Sequence, residues 1–237
     1  MNERQSQLFR NIVEEYIKTA QPVGSKLVVD KFNLNISPAT VRNDMVELED
    51  LGLIRQPHTS AGRVPTESGY RYYVKNFVQL EKELDKKNKQ EIQVKVDSNK
   101  EDDDGDNFEK NIKKLARAIA EESNQGIIVG FPNRDVFYTG LSNLLSQSEF
   151  HDLDLISDVS NIFDHLEEIV SEIYDDFSDH AEIIIGGHEH FPEDCSIVIR
   201  KDKDVLFGIM GPKRMDYQEN IKLLNFVKDI LWLKNLT

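Results

Sequence analysis

A chain of 237 residues, 39% of them apolar, is long enough for two domains with a core each. Its one cysteine, Cys195, excludes an internal disulfide framework or a site built on several thiolates. The absence of any run of roughly 18 apolar residues excludes a membrane-spanning helix. The N-terminus shows no signal-peptide pattern, so a cytosolic protein is expected. The net charge of -14 argues against a nucleic-acid partner until it is divided along the chain. Residues 1–79 hold ten Lys plus Arg against nine Asp plus Glu, and residues 80–237 hold nineteen against thirty-four. The net negative charge therefore lies outside the first third.

Leu8, Phe9, Ile12, Val13, Tyr16, Ile17 and Ala20 recur at helical spacing and predict an amphipathic helix that packs. Pro22-Val23-Gly24 ends it, and Ser25 is suited to cap a short second helix carrying Leu27, Val28, Val29 and Phe32. Ser37 is a fitting N-cap and Pro38 a fitting first residue for a third helix, which runs to Leu51 and stops at Gly52. On it Val41, Met45 and Leu48 share a face and turn to the core. The other side presents Ala39, Thr40, Asn43 and Val46, with Arg42 on the flank and Ser37 at the start. These are groove-reading types, because Asn can bond an adenine edge twice, Arg a guanine edge twice, and Ala or Thr can touch a thymine methyl. Glu47, Glu49 and Asp50 would be repelled by phosphate, so the N-terminal half is the end expected in the major groove.

Leu53-Ile54-Arg55-Gln56 and Gly62-Arg63-Val64-Pro65 flank His58-Thr59-Ser60-Ala61 and read as a β-hairpin wing. Arg55, Thr59, Ser60 and Arg63 are expected on phosphates, and His58 or Arg63 in the minor groove. Thr66 then caps a helix with Tyr70, Tyr73, Val74, Phe77 and Val78. Winged helices also serve as protein-interaction modules, but Arg42, Asn43, Arg55 and Arg63 on the entering surfaces favour DNA.

Residues 80–107 read as a charged, solvated linker, helical near Leu84 and disordered after Asp97. The acidic run at 101–106 fails as a calcium loop, since Lys100 and Asn111 would fall where carboxylates belong. Beyond it the spacing predicts helices over 108–123, 156–177 and 217–233 and strands over 126–131, 136–141, 181–185, 196–200 and 205–210. Asp216 and Glu219 form a capping pair for the last helix. The fold class expected is α+β, an N-terminal winged helix-turn-helix followed by an α+β domain over 108–237.

His188, His190 and Cys195 are residue types that can bind zinc, but Gly186-Gly187 and Pro192 around them read as a polar loop between strands, and no metal or cofactor is assigned. Gly211-Pro212-Lys213-Arg214 either holds an anion at a helix start, fixes a strand-to-helix turn or contacts the reader. No catalytic triad, Walker lysine or paired-carboxylate site is present, so no enzyme is expected.

Residues 37–45 (Ser-Pro-Ala-Thr-Val-Arg-Asn-Asp-Met), 48–53 (Leu-Glu-Asp-Leu-Gly-Leu) and 58–66 (His-Thr-Ser-Ala-Gly-Arg-Val-Pro-Thr) together resemble the HrcA family of heat-inducible repressors. The likeness resumes in residues 138–145, in Glu149-Phe150 and in residues 208–217. It implies a homodimer on an inverted-repeat double-stranded DNA operator ahead of chaperone genes, release on heat shock, help from the GroE chaperonin and a GAF-like second domain. This sequence departs from the family where Gly126–Pro132 passes within a few residues to Val136–Gly140, so the family's intervening strands and inserted dimerising domain are missing. A dimer is still expected, since an inverted repeat mirrors protein two-fold symmetry. Leu223, Phe226, Ile230 and Leu233 on the last helix are the candidate dimer face, with burial inside the domain the competing reading and the helix at 156–177 a second candidate. The alternative function is a ligand- or metal-sensing winged-helix regulator of other genes.

Overall fold

The computed structural model describes residues 1–59, 61–98, 108–187 and 190–233. Ser60, the acidic run at 101–106, the expected disorder over 99–107 and His188 lie outside the described residues. The chain divides into two compact units, Met1–Val78 with Lys213–Met215, and Gln79–Pro212 with Asp216–Thr237.

In the first unit α1 (Glu3–Thr19) opens on a capping box. The Asn2 side chain accepts from the Gln5 N–H, and the Gln5 side chain accepts from the Asn2 N–H, both at 2.9 Å. Its apolar row Leu8, Phe9, Ile12 and Val13 is buried. α2 (Ser25–Phe32) begins after Gly24, not after Ser25, and makes no side-chain cap bond. α3 (Pro38–Asp50) starts where Ser37 Oγ accepts the Thr40 N–H at 3.1 Å and ends before Gly52, whose φ is +72°. Val41, Met45 and Leu48 are all buried, as their spacing requires. β1 (Ile54–Arg55) and β2 (Val64–Pro65) form the wing, and α4 (Glu67–Phe77) follows the Thr66 cap.

The second unit is built on one antiparallel sheet in the order β4-β3-β7-β6-β5. The strands are β3 (Gly126–Gly130), β4 (Val136–Thr139), β5 (Glu182–Ile185), β6 (Cys195–Asp202) and β7 (Val205–Pro212). β3 and β7 are buried along their whole length, as expected of interior strands covered on both faces. On one face lie α7 (Leu141–Leu145), α8 (Leu153–Asp164) and α9 (Leu166–Ile173), which share a core with Ile128, Ile197, Ile199, Leu206 and Met210. On the other lie α6 (Phe108–Ser123) and α10 (Tyr217–Leu233), against β3 and β6.

Three expectations change. The single helix predicted over 156–177 is two, broken at His165, whose φ of -111° and ψ of 17° are not helical. The break turns Val159, Ile162 and Phe163 of α8 and Leu166, Val170 and Ile173 of α9 into one core. The supposed solvated linker contains α5 (Lys86–Ser98), which packs on α6 with Ile92 at 0% exposure. Lys95 pairs with Glu122 and Lys89 with Asp229, at 2.5 and 2.9 Å. Its few apolar positions suffice because α6 and α10 supply the rest of the contact. Finally, Leu223 and Phe226 are buried within the unit, so the broad apolar circumference of α10 is covered by its own sheet and neighbouring helices. Ile230 is half-buried beside Val96 and Phe108, and the Leu233 side chain lies outside the described residues.

Candidate nucleic-acid interface

α3 is held from beneath by apolar contacts and from behind by polar ones. Between the buried Val41 and Met45 sits Asp44, 2% exposed, which the Arg4 guanidinium of α1 meets at 2.8 Å. Hydrogen bonding and charge from Asp44 hold the Arg4 pKa above its ordinary value. Glu47 accepts from the Gln5 amide. Glu49 pairs with Arg63 at 3.0 Å and accepts the Gln56 N–H at 2.9 Å. Three acids of the reading helix are thus engaged with the body of the unit. The sequence signal for Asp44 was its place inside the apolar row; no spacing could announce its partner.

The opposite surface is open. Ala39, Arg42 and Asn43 are exposed and Thr40 is half-buried, all within the N-terminal half of α3. Val46, 45% exposed, continues the row. Ser37 is exposed, but its oxygen is occupied as the helix cap and lies 2.9 Å from Thr40 Oγ1. On the wing Arg55, His58 and Thr59 are exposed. The structure therefore brings one helix end and one hairpin of the same unit to solvent, with donors suited to base edges on the first and to phosphates on the second.

Arg63 is placed differently from the reading that put it on phosphate or in the minor groove. Its side chain is only 12% exposed and is turned onto Glu49, because the wing base is pressed against the α1–α2 connection. Val23 and Arg63 exchange two backbone hydrogen bonds of 2.9 Å. The neighbouring Gly62 lies so close that an added Cβ would meet the Val23 carbonyl carbon at 2.5 Å. Lys213 and Arg214 also count with this unit, Lys213 facing Glu67 at 3.7 Å and Arg214 donating to the Ile17 carbonyl at 3.2 Å. Both cations of that turn are engaged by protein groups.

Cys195 is 1% exposed on β6 within the apolar core, and His190 lies 3.6 Å from Glu172. Among the described residues no three His, Cys, Asp or Glu side chains are grouped to hold a metal, and no helix is long and apolar enough to cross a membrane.

A capped reading helix with exposed Arg42 and Asn43, followed by a basic-armed wing, defines a winged-helix DNA-binding regulator of transcription. A family model described as winged helix-turn-helix transcription repressor, HrcA DNA-binding, matches residues 1–79, and one described as HrcA protein C terminal domain matches residues 73–221. This chain belongs to the HrcA family of heat-inducible transcription repressors. The heat-inducible transcription repressor HrcA of Desulforamulus reducens is 30% identical over 271 residues, covering 98% of this chain and 77% of that protein. An alignment longer than 237 residues means that this relative carries residues the present chain lacks. The HrcA of Desulfitobacterium hafniense is 61% identical over 74 residues, which span 31% of this chain and 21% of that protein. A crystal structure of a protein described as hypothetical shares the fold at a TM-score of 0.72 and 20% identity, covering 98% of this chain and 97% of that one. These matches favour the repressor reading over a ligand- or metal-sensing regulator of other genes.

Proposed function

We propose that the chain represses transcription by binding an inverted-repeat operator as a homodimer, α3 of each copy entering a major groove and the wing lying along the adjacent backbone. The observation that carries this is the exposed pair Arg42 and Asn43 on the capped end of α3, clear of the acids behind it. Two copies are favoured by the charge, since residues 1–79, with ten cations and nine anions, attract phosphate weakly and lose that attraction in salt. Leu223 and Phe226 of α10 are buried within their own unit, which favours another surface for joining the two copies. The resemblance of its motifs to the HrcA family supports the further reading that the protein guards chaperone genes in the cytoplasm, leaves the operator on heating and is returned to its binding state by the GroE chaperonin.

Titration of the full chain onto a palindromic duplex, followed by mobility shift and light scattering, tests this. Two protomers per operator and poor competition by random duplex at moderate salt are expected. Equal competition by random duplex would end the specific-repressor reading, and one protomer per operator would end the dimer.

A further inference from the structure

The wing cannot orient itself. Its ladder consists of Ile54 opposite Pro65 and Arg55 opposite Val64, and Pro65 has no N–H to give. What holds it lies partly on the reading helix. One oxygen of the Glu49 carboxylate accepts the Gln56 N–H at 2.9 Å, just after β1, and the other pairs with Arg63 at 3.0 Å, just before β2. The Gln56 side chain then donates to the Ala61 carbonyl at 3.1 Å, closing the loop across its base. A single carboxylate at the end of α3 therefore grips both arms of the hairpin. Arg63 depends on it, because its Nε is buried without a partner among the described residues and the side chain is only 12% exposed.

We infer that Glu49 is a positioning residue for operator binding, fixing the wing to the reading helix so that Arg55, His58 and Thr59 meet the backbone in register with the bases read by Arg42 and Asn43. This rests on the reading of α3 and the wing as the DNA-binding surface. It reverses the sign expected from charge alone. An acid near phosphate should weaken binding, so its removal should tighten it. A clamp predicts the opposite, because a misplaced wing loses contacts that geometry had aligned.

The test uses the full chain, with operator titrations over a salt series, phosphate-ethylation interference and a thermal melt for each variant. Glu49→Ala should bind on the order of tenfold more weakly, the usual scale for one charge-assisted bond, and lose interference at the wing-side phosphates while keeping it at the α3 bases. Arg63→Ala should show the same loss, and the double variant should be no worse than either single one, since both remove the same clamp. Glu49→Gln keeps an acceptor for Gln56 but not the charge for Arg63, and should fall between; it decides the matter if Glu49→Ala does not fold. Unchanged or tighter binding with the wing-side pattern intact overturns the inference. Strictly additive losses overturn it as well. If the unaltered chain shows no operator preference, the DNA-binding reading fails and takes this inference with it. If that chain binds, Asn43→Ala weakens it and Glu49→Gln does not, only the clamp is wrong.

Discussion

The two units treat a polar group in a packed place in different ways. In the first, Asp44 and Glu15 have side chains 3% and 6% exposed, while their partners Arg4 and Lys31 keep 52% and 48% of theirs in solvent. In the second, Arg200 and Asp202 are 4% and 2% exposed and 2.5 Å apart, and Arg200 also donates to Asn225 at 2.9 Å. Asn225 in turn donates to the carbonyls of Leu80 and Lys82. A pair with one member in solvent keeps its cation hydrated, whereas a closed one is costly to break because the remaining charge has no water to turn to. The sheets differ likewise, two residues per strand in the wing against eight in β6 and β7. Stability in the reader is spread over caps, short contacts and one apolar stripe, leaving a polar face free for DNA. In the second unit it is concentrated in a core covered on both sides.

That contrast is sharpened first where the effect should be largest. Arg200→Ala strands Asp202 in the interior and should cost the second unit about 3–5 kcal/mol. The one tryptophan, Trp232 on α10, reports this in a urea titration of the full chain. An unmoved midpoint would mean that the closed pair is no more demanding than the open ones. Ile92→Ala should lower the same midpoint through a loss of about 2–3 kcal/mol, the small end of the range for buried aliphatic truncation, because α5 belongs to this unit. A mere tether would show no shift.

In the reader the expected losses are of binding. Asn43→Ala should weaken the operator complex by about 1–3 kcal/mol and relax preference at one base position per half-site. Its melting should stay within about 0.5 kcal/mol of the parent, since the residue is exposed. A panel of single-base operator variants reads this out, and an unchanged preference profile would remove Asn43 from the base-reading set. The smallest effect belongs to Arg55→Ala, which should weaken every duplex alike and reduce the salt slope by about one phosphate contact. A new preference at a single base pair would move Arg55 from backbone to base.

The reader was legible along most of its length because its devices are local. Ser37, Pro38 and Gly52 bound α3 from its own neighbours, and Val41, Met45 and Leu48 reveal their face by spacing alone. What was missed there involves partners distant in sequence, such as Arg4 on Asp44 and Arg63 on Glu49. In the second unit the strands were found but not their limits, β6 running on to Asp202 and β7 to Pro212 while β3 stops at Gly130 and β4 at Thr139. α5 read as linker because its exposed residues outnumber Ile92, and α7 begins at Leu141, where the expected strand ends.

By itself the sequence determined which residues cap helices, which faces are apolar and which end of α3 is free of acid, since these depend on neighbours within a turn or two. Only the tertiary structure decided that Glu49 and Arg63 face each other, that His165 breaks a helix and that Leu223 and Phe226 are spent within their own unit. Each of those depends on what is packed against the residue, and a chain pattern records what a side chain is, not what it meets.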